Sequence, residues 1–230
     1  AKEDGTPKRY DADKAAECKA AAMEELAAEG VTFPIDIDYY IVSGAQNALD
    51  TATVLKQIFS DGLGDDYENQ NIKTYVSSQT QEVVNPRLQS FVVNGWGADY
   101  GDVQNYLGQE TIGEDTAYYA NNYSNINDAD SEELKALYQE FTDLVNAANA
   151  IVDAQDARYD AYVEAEVFML EHALSVPMQL EVVWQLSHFN DYKRSNCMYG
   201  IQNYMYKNWE SSAEAYTTEE YAAFAEEFYS

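Results

Sequence analysis

The hydrophobic residues near the start of the chain follow first a helical period and then a strand period. A spacing of three to four residues predicts a helix that begins at Asp11 or Asp13 and runs to about Glu29. Its expected buried face consists of Ala16, Ala20, Met23 and Ala27. Strict alternation in residues 35–42, IDIDYYIV, then predicts a half-buried strand.

Helical and extended patterns continue to alternate as far as residue 97. Residues 46–60 carry the next helical stripe, which consists of Ala48, Leu49, Ala52, Leu55, Ile58 and Phe59. Residues 71–78 have the composition of a strand, and a short helix is expected around residues 80–90. The apolar run FVVNGWG at residues 91–97 predicts a third strand. This alternation predicts an α/β fold in which helices connect the strands of a sheet.

The second half of the chain is mainly helical in pattern. Residues 110–128 are polar and rich in asparagine, which predicts a long surface loop. Asp130 and Glu133 have the spacing of a capping box. The helix that follows carries the stripe Leu134, Leu137, Tyr138, Phe141, Leu144, Val145 and Ala148. A second helix over about 155–173 carries the stripe Tyr162, Ala165, Phe168, Met169 and His172.

The last 45 residues differ in character from the rest of the chain. They are aromatic, polar and irregular as far as Thr217 and Glu220, whose spacing predicts the capped start of a last short helix. We therefore expect two parts, a main α/β domain over residues 1–185 and a C-terminal segment over residues 186–230.

The composition argues against two classes of partner. The 230 residues include 41 acidic and 13 basic side chains, which gives a formal charge of −28 at pH 7. Nucleic acids and anionic membranes are bound by clustered Lys and Arg, so neither is an expected partner. No stretch approaches the roughly 20 apolar residues that a membrane span needs. A substantial core is expected, since 46% of the residues are hydrophobic. We also expect the protein to be a monomer.

The sequence contains no recognisable catalytic or cofactor motif. It lacks a phosphate-binding glycine loop, a dinucleotide fingerprint and the paired histidines of a zinc hydrolase, so we expect no enzyme, cofactor or metal. His172 falls on the apolar side of its helix, where a structural role is expected. Cys18 and Cys197 lack metal-binding spacing, and a disulfide between them stays open. Pairs of acids such as Asp99 and Asp102 keep a carboxylate-dependent hydrolase as an alternative.

The segment FVVNGWGADYGD, at residues 91–102, combines an apolar run with glycines and an acid. Gly95 and Gly97 have no side chain that would block the approach of another extended backbone. Asp99 can accept a charge-assisted hydrogen bond from the ammonium group of a ligand. The same residues also suit an ordinary turn, in which Asp99 or Asp102 caps the helix that follows. Residue types alone leave both interpretations open.

Two stretches of the sequence resemble a known protein family. GWGADY at the end of an apolar run, followed by a polar loop and by RYDAYVEAEVFMLEHALSVPMQL, is similar to the C-terminal half of extracellular solute-binding protein family 5. The start DADKAAECKAAAMEELAAEGV resembles the beginning of that family's distal lobe. The resemblance covers about residues 10–190. It implies an α/β fold with a mixed sheet and flanking helices. This would be the distal lobe of a two-lobed fold like that of periplasmic binding proteins, of type II, which binds peptides.

The resemblance also implies a site and a function. The family contains the oligopeptide- and dipeptide-binding components of ABC importers, which capture short peptides between two lobes and deliver them to permease subunits. The acid that holds the peptide ammonium group corresponds to Asp99, and the backbone groups that pair with the peptide correspond to Gly95 and Gly97. Trp96 and Tyr100 are candidate wall residues. The implied location is the cell surface, by a lipid anchor on the full-length parent, or the periplasm.

The sequence departs from the family pattern in two ways. Some members carry a basic residue six positions before the acid, where it helps to hold a ligand carboxylate, and this chain has Val93. A non-peptide solute such as a sugar or a metal chelate is therefore an alternative ligand. The family's two N-terminal domains have no counterpart, so we expect a fragment that binds peptide weakly by itself. A purely structural extracellular domain, without a cleft at this segment, is a further alternative.

Overall fold

The computed structural model describes residues 11–113, 118–178, 190, 192 and 209–230. Its α-helices and strands, in chain order, are α1 (Ala12–Ala28), β1 (Ile35–Val42), α2 (Gln46–Leu63), β2 (Glu68–Tyr75), α3 (Gln104–Leu107), α4 (Glu132–Asn149), α5 (Gln155–Glu171) and α6 (Thr218–Tyr229). Short turns of π-helix or 3-10 helix lie at Thr80–Val84, Gly108–Glu110, Ala120–Ser124 and Ile126–Asp128. The predicted combination of helices with a sheet is confirmed, but within the described residues the sheet has two parallel strands and is not the mixed sheet that was expected. The chain divides into two compact units after Asn94.

Helix α1 begins and ends where the sequence predicts. The side chain of Asp11 accepts a hydrogen bond from the backbone N–H of Lys14 at 3.0 Å, and this bond caps the first turn. Beyond the last turn, Gly30 has a φ angle of +86°, and its N–H donates back to the carbonyl of Ala27. A left-handed residue closing a helix in this way is usually glycine, because glycine has no Cβ to oppose that conformation.

The predicted buried face of α1 is wrong. Three of its four residues are exposed, namely Ala16, Ala20 and Ala27. The half-buried positions are instead Ala15, Lys19, Ala22, Met23 and Leu26. Lys19 belongs to this inner stripe because its ammonium group pairs with Asp66 at 2.6 Å and lies 6.0 Å from the centre of the Tyr67 ring. The alkyl chain of Lys19 is covered although its head group is charged. A prediction from hydrophobic residues alone excludes such a position, and it therefore chose the wrong face of α1.

Strands β1 and β2 form a parallel pair. The register runs from Ile35 opposite Glu68 to Val42 opposite Tyr75, and α2 is the crossover between the two strands. The prediction placed the second strand three residues too late. Two of the buried positions in β2 are Glu68 and Gln70, and polar residues at inward positions conceal the start of a strand from a hydrophobicity pattern.

The core of the first unit lies between this sheet and α2. It consists of Tyr39, Ile41, Ala52 and Leu55, with Phe91 stacked on Tyr39 at a ring separation of 4.8 Å. Three residues of the predicted α2 stripe remain exposed, namely Leu49, Ile58 and Phe59. The two strands in the described residues form a narrow sheet, which covers only part of the apolar face of α2.

Residues 91–97 do not form the predicted third strand. Ser90 bonds to β1, where its N–H donates to the carbonyl of Asp38 at 3.1 Å and its Oγ accepts from the N–H of Asp38 at 3.0 Å. From Phe91 to Ala98 the chain has no regular secondary structure. A strand requires a continuous ladder of partners, and from Trp96 onward the chain instead turns around a side chain of α3.

The second unit is built on the helix pair α4 and α5. Their shared core consists of Leu107, Phe141, Val145, Ala148, Tyr162, Ala165 and Met169. The periodicity predicted both helices and most of these positions. The predicted cap is off by one residue, because Ser131 rather than Asp130 accepts a hydrogen bond from the N–H of Leu134, at 3.1 Å. His172 is exposed and directly follows α5, with its ring 4.3 Å from that of Phe168.

Residues 110–128 are more ordered than the surface loop that their composition predicts. The described part of this segment contains two helical turns, and Ala120 and Ile126 are buried against Tyr138 of α4. Isolated apolar residues in a polar segment have no period, so the sequence pattern missed them. Near the C-terminus, the predicted capping box of α6 is confirmed by reciprocal bonds between Thr217 and Glu220.

Some predictions concern residues outside the described ranges. Cys197 is among them, so the disulfide with the exposed Cys18 stays open. The predicted boundary between residues 185 and 186 also falls there. None of the helices in the described ranges combines the length and the apolar character that crossing a membrane requires.

Candidate functional site

The five predicted site residues lie on an irregular loop that precedes α3 in the second unit. Four of them are exposed, namely Gly95, Gly97, Asp99 and Tyr100, and Trp96 is half-buried. Ala98, in the middle of the loop, is only 8% exposed. Apart from the neighbours in the chain, a Cβ atom added to either glycine would meet no atom of the described residues within 4 Å. Open space therefore borders the loop backbone on both sides of Trp96.

The buried side chain of Asn105 holds this loop together. Its Oδ1 atom accepts one hydrogen bond from the indole N–H of Trp96 at 3.0 Å and another from the backbone N–H of Asp99 at 2.9 Å. Asn105 lies in α3 and is 2% exposed. Trp96 and the backbone of Asp99 therefore meet at one atom.

Tyr100 and Trp96 have different neighbours. The hydroxyl of Tyr100 donates to the side-chain oxygen of Gln104 on α3. The indole ring of Trp96 contacts the rings of Tyr118 and Tyr119, at centroid distances of 5.8 and 6.0 Å. The side chains of the two candidate wall residues therefore contact different parts of the second unit.

Trp96 is part of a cluster of four aromatic rings, which we call the aromatic cluster: Trp96, Tyr118, Tyr119 and Tyr123. Tyr123 lies 5.7 Å from Tyr118 and 5.6 Å from Tyr119. These are the distances of packed rings, so a ligand cannot enter between them and would contact their outer faces. Tyr118 is 41% exposed and offers such a face.

Asp102, the second acid of the motif, is bound by groups of the protein itself. Its carboxylate makes two hydrogen bonds to the guanidinium group of Arg158 on α5, at 2.6 and 3.0 Å, and accepts a third from the backbone N–H of Gln104 at 2.9 Å. The bonds from Arg158 are the main reason why the pKa of Asp102 lies below its usual value. Of the two acids that could cap α3, Asp102 does so and Asp99 does not.

Asp99 is in a different position from Asp102. It is exposed, and within the described residues its carboxylate has no hydrogen-bond or ion-pair partner. The hydrolase alternative requires both acids to act in one pocket. The carboxylate of Asp102 is committed to Arg158, so the pair lacks the free second acid that this chemistry needs.

Glu110 is a buried acid close to the aromatic cluster. It is 6% exposed, and among the described residues its Oε2 atom has no hydrogen-bond partner. Burial raises the pKa of Glu110 to about 7, and a hydrogen bond from Ser175 opposes this shift. Burial raises the pKa of Tyr119, and the charge of Glu110 adds to that effect.

A shallow cavity of about 260 Å³ lies in the first unit, at the carboxyl ends of β1 and β2. Val42, Tyr75 and Asn47 are among its lining residues, and so is Val93. None of the five predicted site residues contributes to it. No group of three or more His, Cys, Asp or Glu side chains among the described residues is arranged to hold a metal ion.

Sequence reasoning missed the residues that organise the loop. Asn105 is six positions beyond Asp99 and has no motif of its own, and the three tyrosines lie in a segment predicted as loop. For the tyrosines, the sequence did contain a weak indication. Residues 118–123 read YYANNY, and this density of tyrosine is unusual for a solvent-exposed loop.

Comparison with known proteins supports the resemblance predicted from the sequence. No protein-family model matches the chain. The chain is 27% identical over 183 residues to the oligopeptide-binding protein AmiA of Streptococcus pneumoniae, in a match that covers 76% of this chain and 27% of AmiA. It is 28% identical over 182 residues to the oligopeptide-binding protein AliA of the same species, covering 73% of this chain and 26% of AliA.

A third relative comes from another species. The oligopeptide-binding protein SarA of Streptococcus gordonii is 29% identical over 182 residues, covering 73% of this chain and 26% of SarA. The chain spans about a quarter of the length of the curated relatives that it matches. Over about three quarters of its own length, the chain is therefore similar to the oligopeptide-binding proteins of streptococci, and the predicted resemblance is confirmed.

Proposed function

We propose that this chain is part of the substrate-binding protein of an ABC importer, in which Asp99 binds the ammonium group of a short peptide. One observation carries the proposal. The chain is similar to oligopeptide-binding proteins, and it presents an exposed carboxylate, that of Asp99, on a loop whose backbone is fixed by Asn105.

The surroundings of Asp99 favour this role over a structural one. The neighbouring acid, Asp102, already caps α3 and binds Arg158, so the fold does not require Asp99 for either purpose. An acid without a described partner is free to accept from a ligand ammonium group. That bond strengthens when closure of a second lobe removes water from it.

The loop backbone and rings supply the other contacts that we propose. Open space beside Gly95 and Gly97 admits an extended peptide backbone. The half-buried ring of Trp96 and the exposed ring of Tyr100 then form walls on either side of the ligand, with different neighbours behind them.

We further propose that the full-length protein works as a monomer outside the cell or in the periplasm and delivers its peptide to permease subunits. The two-lobed receptor encloses its ligand, so much of the binding energy comes from the second lobe. The chain described here should accordingly bind peptide weakly when isolated.

Isothermal titration calorimetry on the full-length parent tests the role of Asp99. Tripeptides to pentapeptides with a free N-terminus are compared with the same peptides after N-acetylation. We expect acetylation to weaken binding by roughly tenfold to a hundredfold, which corresponds to one charge-assisted hydrogen bond. The substitution Asp99→Asn should weaken binding of the free peptide by a similar factor and remove the discrimination between the two forms.

Asp160→Asn is the matched control, because Asp160 is an exposed acid of α5 without a described partner. It should leave both affinities unchanged. Equal affinity of the wild-type protein for free and acetylated peptides would contradict the role of Asp99.

A non-peptide solute such as a sugar is the second candidate ligand. The outer ring faces of the aromatic cluster favour it, since the apolar C–H face of a sugar ring packs on an exposed aromatic face. Val93 also favours it, because it leaves no basic group at that position for a peptide carboxylate. Mass spectrometry of whatever co-purifies with the full-length parent distinguishes the two ligands directly.

A further inference from the structure

The side chain of Asn105 is a buried polar group whose acceptor oxygen is fully used. Burying an amide costs free energy unless its atoms find hydrogen-bond partners, and Asn105 is 2% exposed. Its Oδ1 atom has two lone pairs, and these accept from the indole of Trp96 and from the backbone of Asp99. Both donors belong to the loop that carries the proposed site.

The two bonds close the loop over a short span. Trp96 and Asp99 are three residues apart, and the buried Ala98 lies between them. Because one atom holds both donors, the orientation of the indole ring and the path of the backbone at Asp99 are coupled. A change in either one strains the bond that holds the other.

Asn105 is itself held firmly on the inner side. Its backbone N–H donates to the carbonyl of Asp102 at 3.1 Å, and the carboxylate of Asp102 is bound to Arg158 on α5. Two residues further on, Leu107 is buried in the core between α4 and α5. The side chain of Asn105 thereby connects the loop to the helix pair of the second unit.

We propose that Asn105 is the positioning residue of the ligand-binding loop, and that its side-chain oxygen sets Trp96 and Asp99 in the arrangement that receives the ligand. For the ligand itself this inference rests on the function proposed above. The positioning of Trp96 can be measured without any ligand, so the two proposals can fail separately.

The first measurement is the exchange rate of the Trp96 indole hydrogen, followed by NMR on the full-length protein with 15N-labelled tryptophan. The resonance is identified by its loss in Trp96→Phe. In Asn105→Leu, which has a similar volume but no acceptor, exchange should become faster by on the order of tenfold or more, as expected for the loss of a buried hydrogen bond. In Asn105→Asp, which keeps an acceptor oxygen, exchange should stay within about threefold of wild type.

Asn105→Ser provides a second variant if the leucine variant does not fold. A serine hydroxyl is polar but too short to reach both donors, so Trp96 exchange should again become faster. The matched control is Gln109→Met, which removes a buried amide one turn further along. Gln109 donates to the backbone carbonyl of Asn105 and not to the loop, so its loss should leave Trp96 exchange unchanged.

The second measurement is peptide affinity by calorimetry on the same variants. We expect Asn105→Leu and Asn105→Ser to weaken binding by roughly tenfold, Asn105→Asp to restore most of the affinity, and Gln109→Met to have little effect. Unchanged Trp96 exchange in the leucine or serine variant would overturn the inference, and so would an equal loss of affinity in the Gln109 control. If the wild-type protein binds no peptide, the proposed function fails, and the exchange rates still decide whether Asn105 positions the loop.

Discussion

Glu110 places a carboxyl group in the interior of the second unit, and this has a consequence for the pH dependence of stability. In the folded state its pKa is raised to about 7, mainly by burial, whereas the ordinary value is 4.5. Between these two values the folded state binds more protons than the unfolded state. The free energy of unfolding therefore decreases as the pH rises from about 4.5 to about 7 and levels off above that range.

We predict that Glu110→Gln removes this dependence and stabilises the protein at pH 8. A shift from 4.5 to about 7 corresponds to about 3 kcal/mol, and this is the largest gain to expect from the neutral side chain. Urea unfolding at pH 5, 6, 7 and 8 measures the effect. Glu140→Gln changes an exposed acid of α4 and serves as the control. Parallel pH profiles for wild type and Glu110→Gln would contradict the prediction.

At the candidate site, residue types in the sequence drew attention to exposed residues and not to the buried residue that holds them. Asp99 and the two glycines could be selected from the sequence by residue type alone. The structure places all three at the surface. Asn105 could not be predicted, because an asparagine six residues away acquires its role only when α3 folds beside the loop. The alternative of a capped turn is confirmed in part, since Asp102, and not Asp99, accepts a hydrogen bond from the backbone at the start of α3.

At the scale of elements, the contact between Asp102 and Arg158 fastens the start of α3 to α5. The side chains are 27% and 25% exposed, and the two groups make a bidentate pair. The hydroxyl of Tyr162 lies 2.8 Å from Arg158, and burial together with the charge of Asp102 raises the pKa of Tyr162 to about 12. This network anchors the start of α3, and with it the loop that precedes α3, to the helix pair.

We predict a coupling free energy of about 1–2 kcal/mol between Asp102 and Arg158, between the values of exposed and fully buried pairs. A double-mutant cycle with Asp102→Asn and Arg158→Gln, measured by urea unfolding at pH 7, gives this quantity. The pKa of Asp102 is lowered in the folded state, so this stabilisation is complete above the usual pKa of an aspartate and is lost as the pH falls through the lower folded value.

The control for this cycle is the pair Glu132 and Lys135 on the surface of α4. Their nitrogen and oxygen atoms are 3.1 Å apart, but the Glu132 side chain is 87% exposed, so we expect a coupling of less than about 0.5 kcal/mol. A coupling for Asp102 and Arg158 no larger than that of the control would mean that the contact does not fasten α3.

Helices were predicted more reliably than strands for a physical reason. The hydrogen bonds of α4 and α5 are local, so an apolar stripe of the right period is sufficient to specify them. Strands depend on hydrogen-bond partners elsewhere in the chain. Residues 91–97 have the composition of a strand but do not form the backbone hydrogen bonds of one. In β2 the buried positions are the polar residues Glu68 and Gln70. Because a hydrophobicity pattern does not recognise them, the predicted strand began three residues too late.

At the scale of the whole molecule, charge is the dominant feature. With 41 acidic and 13 basic side chains, every basic group could be paired and 28 acids would remain without a partner. Compaction brings these acids closer together than they are in the unfolded chain, so their mutual repulsion opposes folding. Salt screens repulsion between exposed charges over a distance of about 10 Å at 0.1 M.

We therefore predict that raising the concentration of NaCl from 10 to 300 mM increases the melting temperature of the protein. A relief of about 1 kcal/mol would raise Tm by roughly 2–4 °C for a chain of this size. Salt also weakens ion pairs such as Lys14 with Glu17, but this pair is highly exposed and contributes little. Differential scanning calorimetry in NaCl and in KCl separates screening from specific ion binding, because screening depends only on ionic strength. A Tm that stays constant or falls with salt would show that attractive pairs, and not the excess of 28 negative charges, control the electrostatics of the fold.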